Sequence, residues 1–249
     1  AQRPIVHHLL AGLQALEYRG YDSAGIAMLT PHGIERLRAK GKVRDLDLLQ
    51  KQSGLDGFSG IAHTRWATHG VPSEINAHPH ASGQVSVVHN GIIENHAELR
   101  AELLADGFEF ASQTDTEVIA HLIERDQQRG MSLFDSVRKN AARLHGAYAI
   151  VAISAREPGT LVGARLGSPL VVGYGDGENY FGSDVHALIP LTRNFSYLEE
   201  GDVAEITLHT VRIVDASGAQ VSRPVKVSNF NADAAQKGDY AHYMLKEIH

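Results

Sequence analysis

The chain has 249 residues, 43% hydrophobic and 21% charged, and contains no cysteine. Such a length buries roughly 70–75% of the unfolded surface as one large domain or two small ones, which excludes disorder, collagen and coiled coil. A net charge of −6 without a basic block lacks the footprint of a nucleic-acid binder, no apolar run approaches the roughly 20 residues of a membrane span, and disulfides, thiolate zinc sites and any thiol nucleophile within these residues are excluded.

Ile5, Val6, Leu9, Leu10, Leu13 and Leu16 recur at helical spacing behind Pro4, which suits a first helical turn, and predict an amphipathic helix ending near Gly20. Residues 24–29 and 34–38 read as a hairpin across Thr30-Pro31-His32-Gly33. A short helical patch around Leu46 and Leu49 follows, then strands at 60–66 and 85–89 separated by a polar loop rich in His and Pro. Three helices come next, opened by Asn95 with Glu98, Thr114 with Glu117, and Ser132 with Asp135, each an N-cap residue with its reciprocal acid. Gly107, Gly130 and Gly146 supply their stops. The rest is strand and turn: 147–154, 161–165, 170–174, 179–182, 203–207 and 211–214, with tight turns at Asp176-Gly177 and Ser217-Gly218. Strand groups flanking a helical block, joined by turns too short for helical crossovers, predict an α+β fold. Two mainly antiparallel sheets pack face to face with helices outside, in four layers. The polar stretch 229–239 resembles a linker.

Four segments are too polar and glycine-rich, for their place at strand ends and a helix start, to be packing alone: 17–25, 60–70, 89–96 and 114–117. Their chemistry suits an α-amino acid. Arg65 offers a bidentate fork to a carboxylate, and Asp115 a partner for an ammonium. Asn90-Gly91 pairs a side-chain amide donor with an unobstructed backbone N–H, the equipment for holding an oxyanion during amide hydrolysis. Each also has a plainer reading: a surface arginine with any acid, a first-turn acid facing a helix dipole, a type I′ hairpin turn. It is their coincidence that favours a site.

His63, His69, His78, His80, His89 and His96 crowd one region and raise a catalytic metal as an alternative, one that chelator would inactivate. There is no His-Glu-x-x-His helix, and His78-Pro79-His80 is expected to splay its rings apart. Gly173-x-Gly175-x-Gly177 is followed by a strand, not by the helix that a dinucleotide fingerprint needs.

Over 17–25, 60–70, 76–80, 89–96, 114–121 and 165–169, and again at His242-Tyr243-Met244, the sequence resembles the glutamine-hydrolysing domain of the glucosamine-6-phosphate synthase family of glutamine amidotransferases. The similarity covers essentially the whole chain. It implies an N-terminal-nucleophile hydrolase-like sandwich, no cofactor and no metal. Residues 1–232 would form the glutaminase domain, and 233–249 would begin a connector to a sugar-phosphate isomerase domain outside these residues. That domain would bind fructose-6-phosphate within a cytoplasmic homodimer, without nucleic acid or membrane partners.

The resemblance further implies that an N-terminal cysteine attacks the side-chain amide of L-glutamine, with its own α-amine as base. L-glutamate is released, and the ammonia goes to fructose-6-phosphate to make glucosamine-6-phosphate. Arg65 takes the glutamine carboxylate, Asp115 its ammonium with help from the Gly91 backbone, and Asn90 and Gly91 the oxyanion. Trp66, Thr68 and His69 line the pocket, and Arg19 lies beside the nucleophile. The family opens with a Cys-Gly-Ile-Val-Gly strand, whereas this sequence opens at Ala1, where that strand would end. Losing a core strand would cost several kcal/mol of a total near 5–15, so Ala1 is not expected to be the true terminus. The alternative is a catalytically silent glutamine-binding or regulatory module.

Overall fold

The computed structural model describes residues 2–228. Helix α1 (Val6–Ala15) turns Val6, Leu10 and Leu13 inward and leads, through a 3-10 turn at Glu17–Arg19, into the hairpin of β1 (Ser23–Thr30) and β2 (Gly33–Lys40). Pro4 stands just outside the first turn, because Ile5 holds the N-cap position. Helix α2 (Val43–Ser53) is longer than the patch expected there, since Asp45 accepts the Lys42 N–H at 3.0 Å and starts the helix early. Strand β3 (Gly60–Arg65) pairs with the other side of β1, and β4 (His80–Ser82) and β5 (Val85–Gly91) form a second hairpin.

Helices α3 (His96–Ala105), α4 (Thr116–Gln128) and α5 (Leu133–Ala141) follow. Ser132 caps α5 as expected, accepting the Asp135 N–H at 3.0 Å and donating to Asp135 Oδ2 at 2.8 Å. The other two caps differ. Asn95 accepts the His145 N–H at 3.0 Å and donates to the Arg143 carbonyl at 2.9 Å, so it ties α3 to the segment after α5 instead of capping. Thr114 Oγ1 meets His80 Nε2 at 3.0 Å, which leaves the N-cap position of α4 to Asp115. Gly107 and Gly130 lie just beyond α3 and α4 as expected. Gly146 does not stop α5, which ends at Ala141; a Cβ there would sit 2.3 Å from the Ile92 carbonyl oxygen, so glycine is needed for close chain approach.

The second half supplies β6 (Tyr148–Ser154), β7 (Leu161–Leu166), β8 (Val171–Tyr174), β9 (Asn179–Gly182), β10 (Asn194–Tyr197), β11 (Val203–Ile206), β12 (Val211–Val214), β13 (Gln220–Val221) and β14 (Lys226–Val227). All named strand pairs are antiparallel. One layer is a seven-stranded sheet, β13-β12-β11-β7-β6-β5-β4; the facing layer comes in two pieces, β2-β1-β3 and β14-β10-β8-β9.

Side-chain alternation shows why the layers stack as they do. Along β6, Tyr148, Ile150 and Ala152 pack against α3, α4 and α5, while Ala149, Val151 and Ile153 face the other sheet layer, meeting Ala27, Ile61, Leu170 and Val172. A strand buried on both faces must be apolar throughout, and each fully buried isoleucine contributes about 1.5–3 kcal/mol. In β1 the same alternation sends Ala24, Ile26 and Met28 to α1 and α2. The result is the expected α+β sandwich of four layers. Among the described residues no helix is long and apolar enough to cross a membrane. The stretch 229–239, the connector 233–249 and His242-Tyr243-Met244 lie outside the described residues.

Candidate active site

Arg65 ends β3 opposite Ser23 and is 4% exposed, so it is not a surface arginine. Its Nη2 donates to the carbonyls of His69 and Gly70, the latter at 3.0 Å, folding the following loop back on the guanidinium. Nη1 lies 3.6 Å from Asp22 Oδ1 and, although buried, has no hydrogen-bond partner. The two-nitrogen fork expected from sequence is therefore half engaged by the loop, and Nη1 is the nitrogen without a hydrogen bond. Burial lowers the Arg65 pKa, while the charges of Asp22 and Asp115 oppose that.

Asn90 and Gly91 close β5 opposite Ala149 and Tyr148, in the middle of the chain's path between strand and α3, so they are not a hairpin turn. Gly91 has φ 126°, and a Cβ there would meet the Ala147 carbonyl oxygen at 2.0 Å. Beyond it, Ile92 and Glu94 donate to the carbonyls of Ala147 and His145, both at 2.9 Å, while Ile93 donates the opposite way, to Asp115 Oδ2 at 2.8 Å. The alternation of antiparallel pairing puts the Gly91 N–H on the Ile93 side, away from β6. Asn90 Oδ1 lies 2.9 Å from His63 Nε2, and its Nδ2 has no partner among the described residues.

Asp115 is 4% exposed, with one oxygen held by Ile93. Arg19, Arg65, Trp66, Thr68, His69, Asn90, Gly91 and Asp115 all line one cavity of about 660 Å³. Trp66 is 68% exposed at its mouth, stacked so close to Gly20 that a Cβ there would be 2.4 Å from the ring. Thr68 is exposed, His69 half-buried, and Arg19 pairs with Asp184.

The histidines form a hydrogen-bonded floor. His63 Nδ1 and His78 Nδ1 are 2.9 Å apart, His78 Nε2 is 2.8 Å from Thr116 Oγ1, and His89 Nδ1 is 3.0 Å from the same oxygen. Burial pushes His63 and His89 down to about 4 and His80 to about 3, so these rings are neutral at pH 7. The rings of His78 and His80 meet edge-on at 4.9 Å instead of splaying, His78 lying in a bend just before β4 begins at His80. Among the described residues, no three His, Cys, Asp or Glu side chains are arranged to hold a metal ion. Sequence reasoning missed the floor: His63, His89 and Thr116 stood out only as members of the polar segments 60–70, 89–96 and 114–117, and the histidines otherwise only as possible metal ligands.

The sequence family described as "Glutamine amidotransferase domain" matches residues 63–190, about half of the chain, and this span contains Arg65, Asn90, Gly91 and Asp115. The chain belongs to that family. This glutamine amidotransferase domain is 54% identical over its full length to the glutamine–fructose-6-phosphate aminotransferases (isomerizing) of Aliivibrio fischeri and Escherichia coli K12, and it spans 41% of the length of each. Among solved structures, the domain is similar to the glutamine phosphoribosylpyrophosphate amidotransferase of B. subtilis complexed with ADP and GMP. The TM-score is 0.72 at 25% identity, covering 86% of this chain and 47% of that one. A structure described as the allosteric regulatory enzyme of purine biosynthesis gives a TM-score of 0.70 at 26% identity, covering 84% of this chain and 46% of that one.

Proposed function

We propose that this domain hydrolyses the side-chain amide of L-glutamine to L-glutamate and ammonia. The observation that carries the reading is the convergence of Arg65, Asp115, Asn90 and Gly91 on one cavity. Arg65 Nη1 receives the α-carboxylate, the free oxygen of Asp115 receives the α-ammonium, and the side-chain carbonyl oxygen lies against Asn90 Nδ2 and the Gly91 N–H. Both donors aim at the oxygen that becomes negative when the carbonyl carbon turns tetrahedral, and fixed donors need no reorganisation at that moment.

The nucleophile in this proposal is the thiol of an N-terminal cysteine, as the family resemblance implies; it is not among these 249 residues. Its α-amine, with an ordinary pKa near 8, takes the thiol proton. Sulfur bonds to the amide carbon, the C–N bond breaks as the amine returns the proton to nitrogen, and water then cleaves the thioester. Support for a cysteine-led strand comes from two sheet edges: β3 and β9 are each terminal in their sheets, and both line the cavity. An extended segment seated there would complete the sheet layer and bring its first residue toward the Arg65 end.

The similarity to longer aminotransferases supports a second domain that uses the ammonia on fructose-6-phosphate to make glucosamine-6-phosphate, with residues 1–232 as the glutaminase and 233–249 leading to that domain. The test is glutamate release from L-glutamine by the protein bearing the N-terminal cysteine, together with stoichiometric labelling by a glutamine-like electrophile. Calorimetric binding of glutamine with neither release nor labelling would instead identify a silent module.

A further inference from the structure

We propose that His63 is a positioning residue for Asn90. Its Nε2–H holds Asn90 Oδ1 and so turns Nδ2 toward the cavity, and a buried string of His78, Thr116 and His89 is coupled to the position of that proton. The inference rests on the oxyanion role proposed for Asn90.

An asparagine amide has two ends of nearly equal shape and opposite polarity. With Nδ2 toward the substrate it stabilises an oxyanion; turned by 180° it would place a carbonyl oxygen against it. No feature of Asn90 itself chooses between the two, so the choice falls to its neighbour at 2.9 Å, His63 Nε2. A neutral imidazole has one N–H and one lone pair. If Nε2 carries the hydrogen, Asn90 must present Oδ1 to it.

That tautomer is compatible with the string behind it. With the proton on His63 Nε2, His63 Nδ1 is an acceptor, so His78 Nδ1–H donates to it across 2.9 Å. His78 Nε2 then accepts from the Thr116 hydroxyl at 2.8 Å, and Thr116 Oγ1 accepts from His89 Nδ1–H at 3.0 Å. Each step fixes the next, and reversing one bond reverses them all. The four groups are 8%, 6%, 1% and 3% exposed, so water does not compete for these bonds. Burial keeps His63 and His89 near 4 and His78 well below the ordinary value, which leaves one proton per ring and a one-way string at neutral pH. His63 lies on β3, Thr116 opens α4 and His89 belongs to β5, so the string joins three of the elements that build the site.

The experiment is a double-mutant cycle on glutaminase turnover in the protein bearing the N-terminal cysteine. His63→Met is expected to lower kcat about 10- to 100-fold with KM within about 3-fold, since the lost term acts on the oxyanion. His63→Gln, whose amide N–H can still donate to Asn90 Oδ1, restores kcat to within about 5-fold of wild type. In an Asn90→Ala background, His63→Met costs less than about 2-fold, because no amide is left to orient. An undiminished His63→Met effect in that background, beside a slow Asn90→Ala enzyme, overturns the positioning role alone. Wild-type turnover of Asn90→Ala itself overturns both this inference and the oxyanion assignment. If His63→Met does not fold, Thr116→Val, which removes only the hydroxyl, replaces it in the cycle with the same non-additivity expected.

Discussion

Asp115 Oδ2 accepts the backbone N–H of Ile93 at 2.8 Å, joining the first turn of α4 to the chain just beyond Gly91. One oxygen of this carboxylate thus holds the strand end that carries Asn90 and Gly91, and in the proposed function the other receives the ammonium. The proposed function makes this helix-start acid a ligand-binding acid as well.

Asp115→Asn separates the two roles. Asparagine keeps an oxygen for Ile93 and loses the charge, so KM for glutamine is expected to rise roughly 10- to 100-fold, the worth of a hydrogen bond to a charged group. The thermal midpoint should move little. A lowered midpoint with unchanged KM would confine Asp115 to the fold.

Arg65→Ala removes the guanidinium that both faces the cavity and ties down the carbonyls of His69 and Gly70. Glutamine affinity measured by calorimetry should weaken by about 2–5 kcal/mol, as for truncation of one partner of a buried charge pair. Unchanged affinity would contradict the assigned pose.

Asn90→Ala should slow the acylation step on the order of 10²–10³-fold in single-turnover kinetics, with glutamine binding nearly intact, because the donor acts mainly on the developing oxyanion. A rate within error of wild type would remove that role.

Gly91→Ala is expected to be damaging in proportion to what its Cβ meets. With φ at 126° and the Ala147 carbonyl oxygen 2.0 Å from the new carbon, the end of β5 must move. We expect a loss of at least about 2 kcal/mol in urea unfolding and turnover near background. A variant as stable and active as wild type would mean that the close approach to Ala147 is not maintained.

The buried histidines predict acid sensitivity. Their folded pKa values, about 4 for His63 and His89 and about 3 for His80, lie below the ordinary 6.5, so the unfolded chain takes up protons first as pH falls. Stability is therefore lost on going down from about pH 6.5 toward 4. Below 4.5 Glu117 adds to the loss: burial raises its pKa, but the Ser112 and Ala111 groups that donate to it help hold it down at about 2. The urea midpoint at pH 5 should be clearly lower than at pH 7, and less so in His80→Gln. An equal or higher midpoint at pH 5 would contradict the buried neutral state.

Much of this was legible in the sequence because an unbroken apolar run marks a strand buried on both faces, as at Ala149 to Ile153, and because Arg65, Asn90-Gly91 and Asp115 are polar where packing wants apolar residues. Strands β4, β13 and β14 escaped because two or three residues are too few for alternation to register. Caps were misread where tertiary bonds outbid local ones: Thr114 serves His80, and Asn95 serves His145. The histidine floor was hidden because a buried neutral ring and a metal ligand look alike until their hydrogen bonds are seen.

A crystal structure of this domain soaked with L-glutamate tests the central claim most directly. The account predicts one ligand with its α-carboxylate at Arg65 Nη1, its ammonium at Asp115 and a side-chain oxygen within about 3 Å of both Asn90 Nδ2 and the Gly91 N–H. Glutamate bound the other way round, with its side-chain carboxylate at Arg65 and its α-ammonium away from Asp115, or bound in a different crevice, would contradict it.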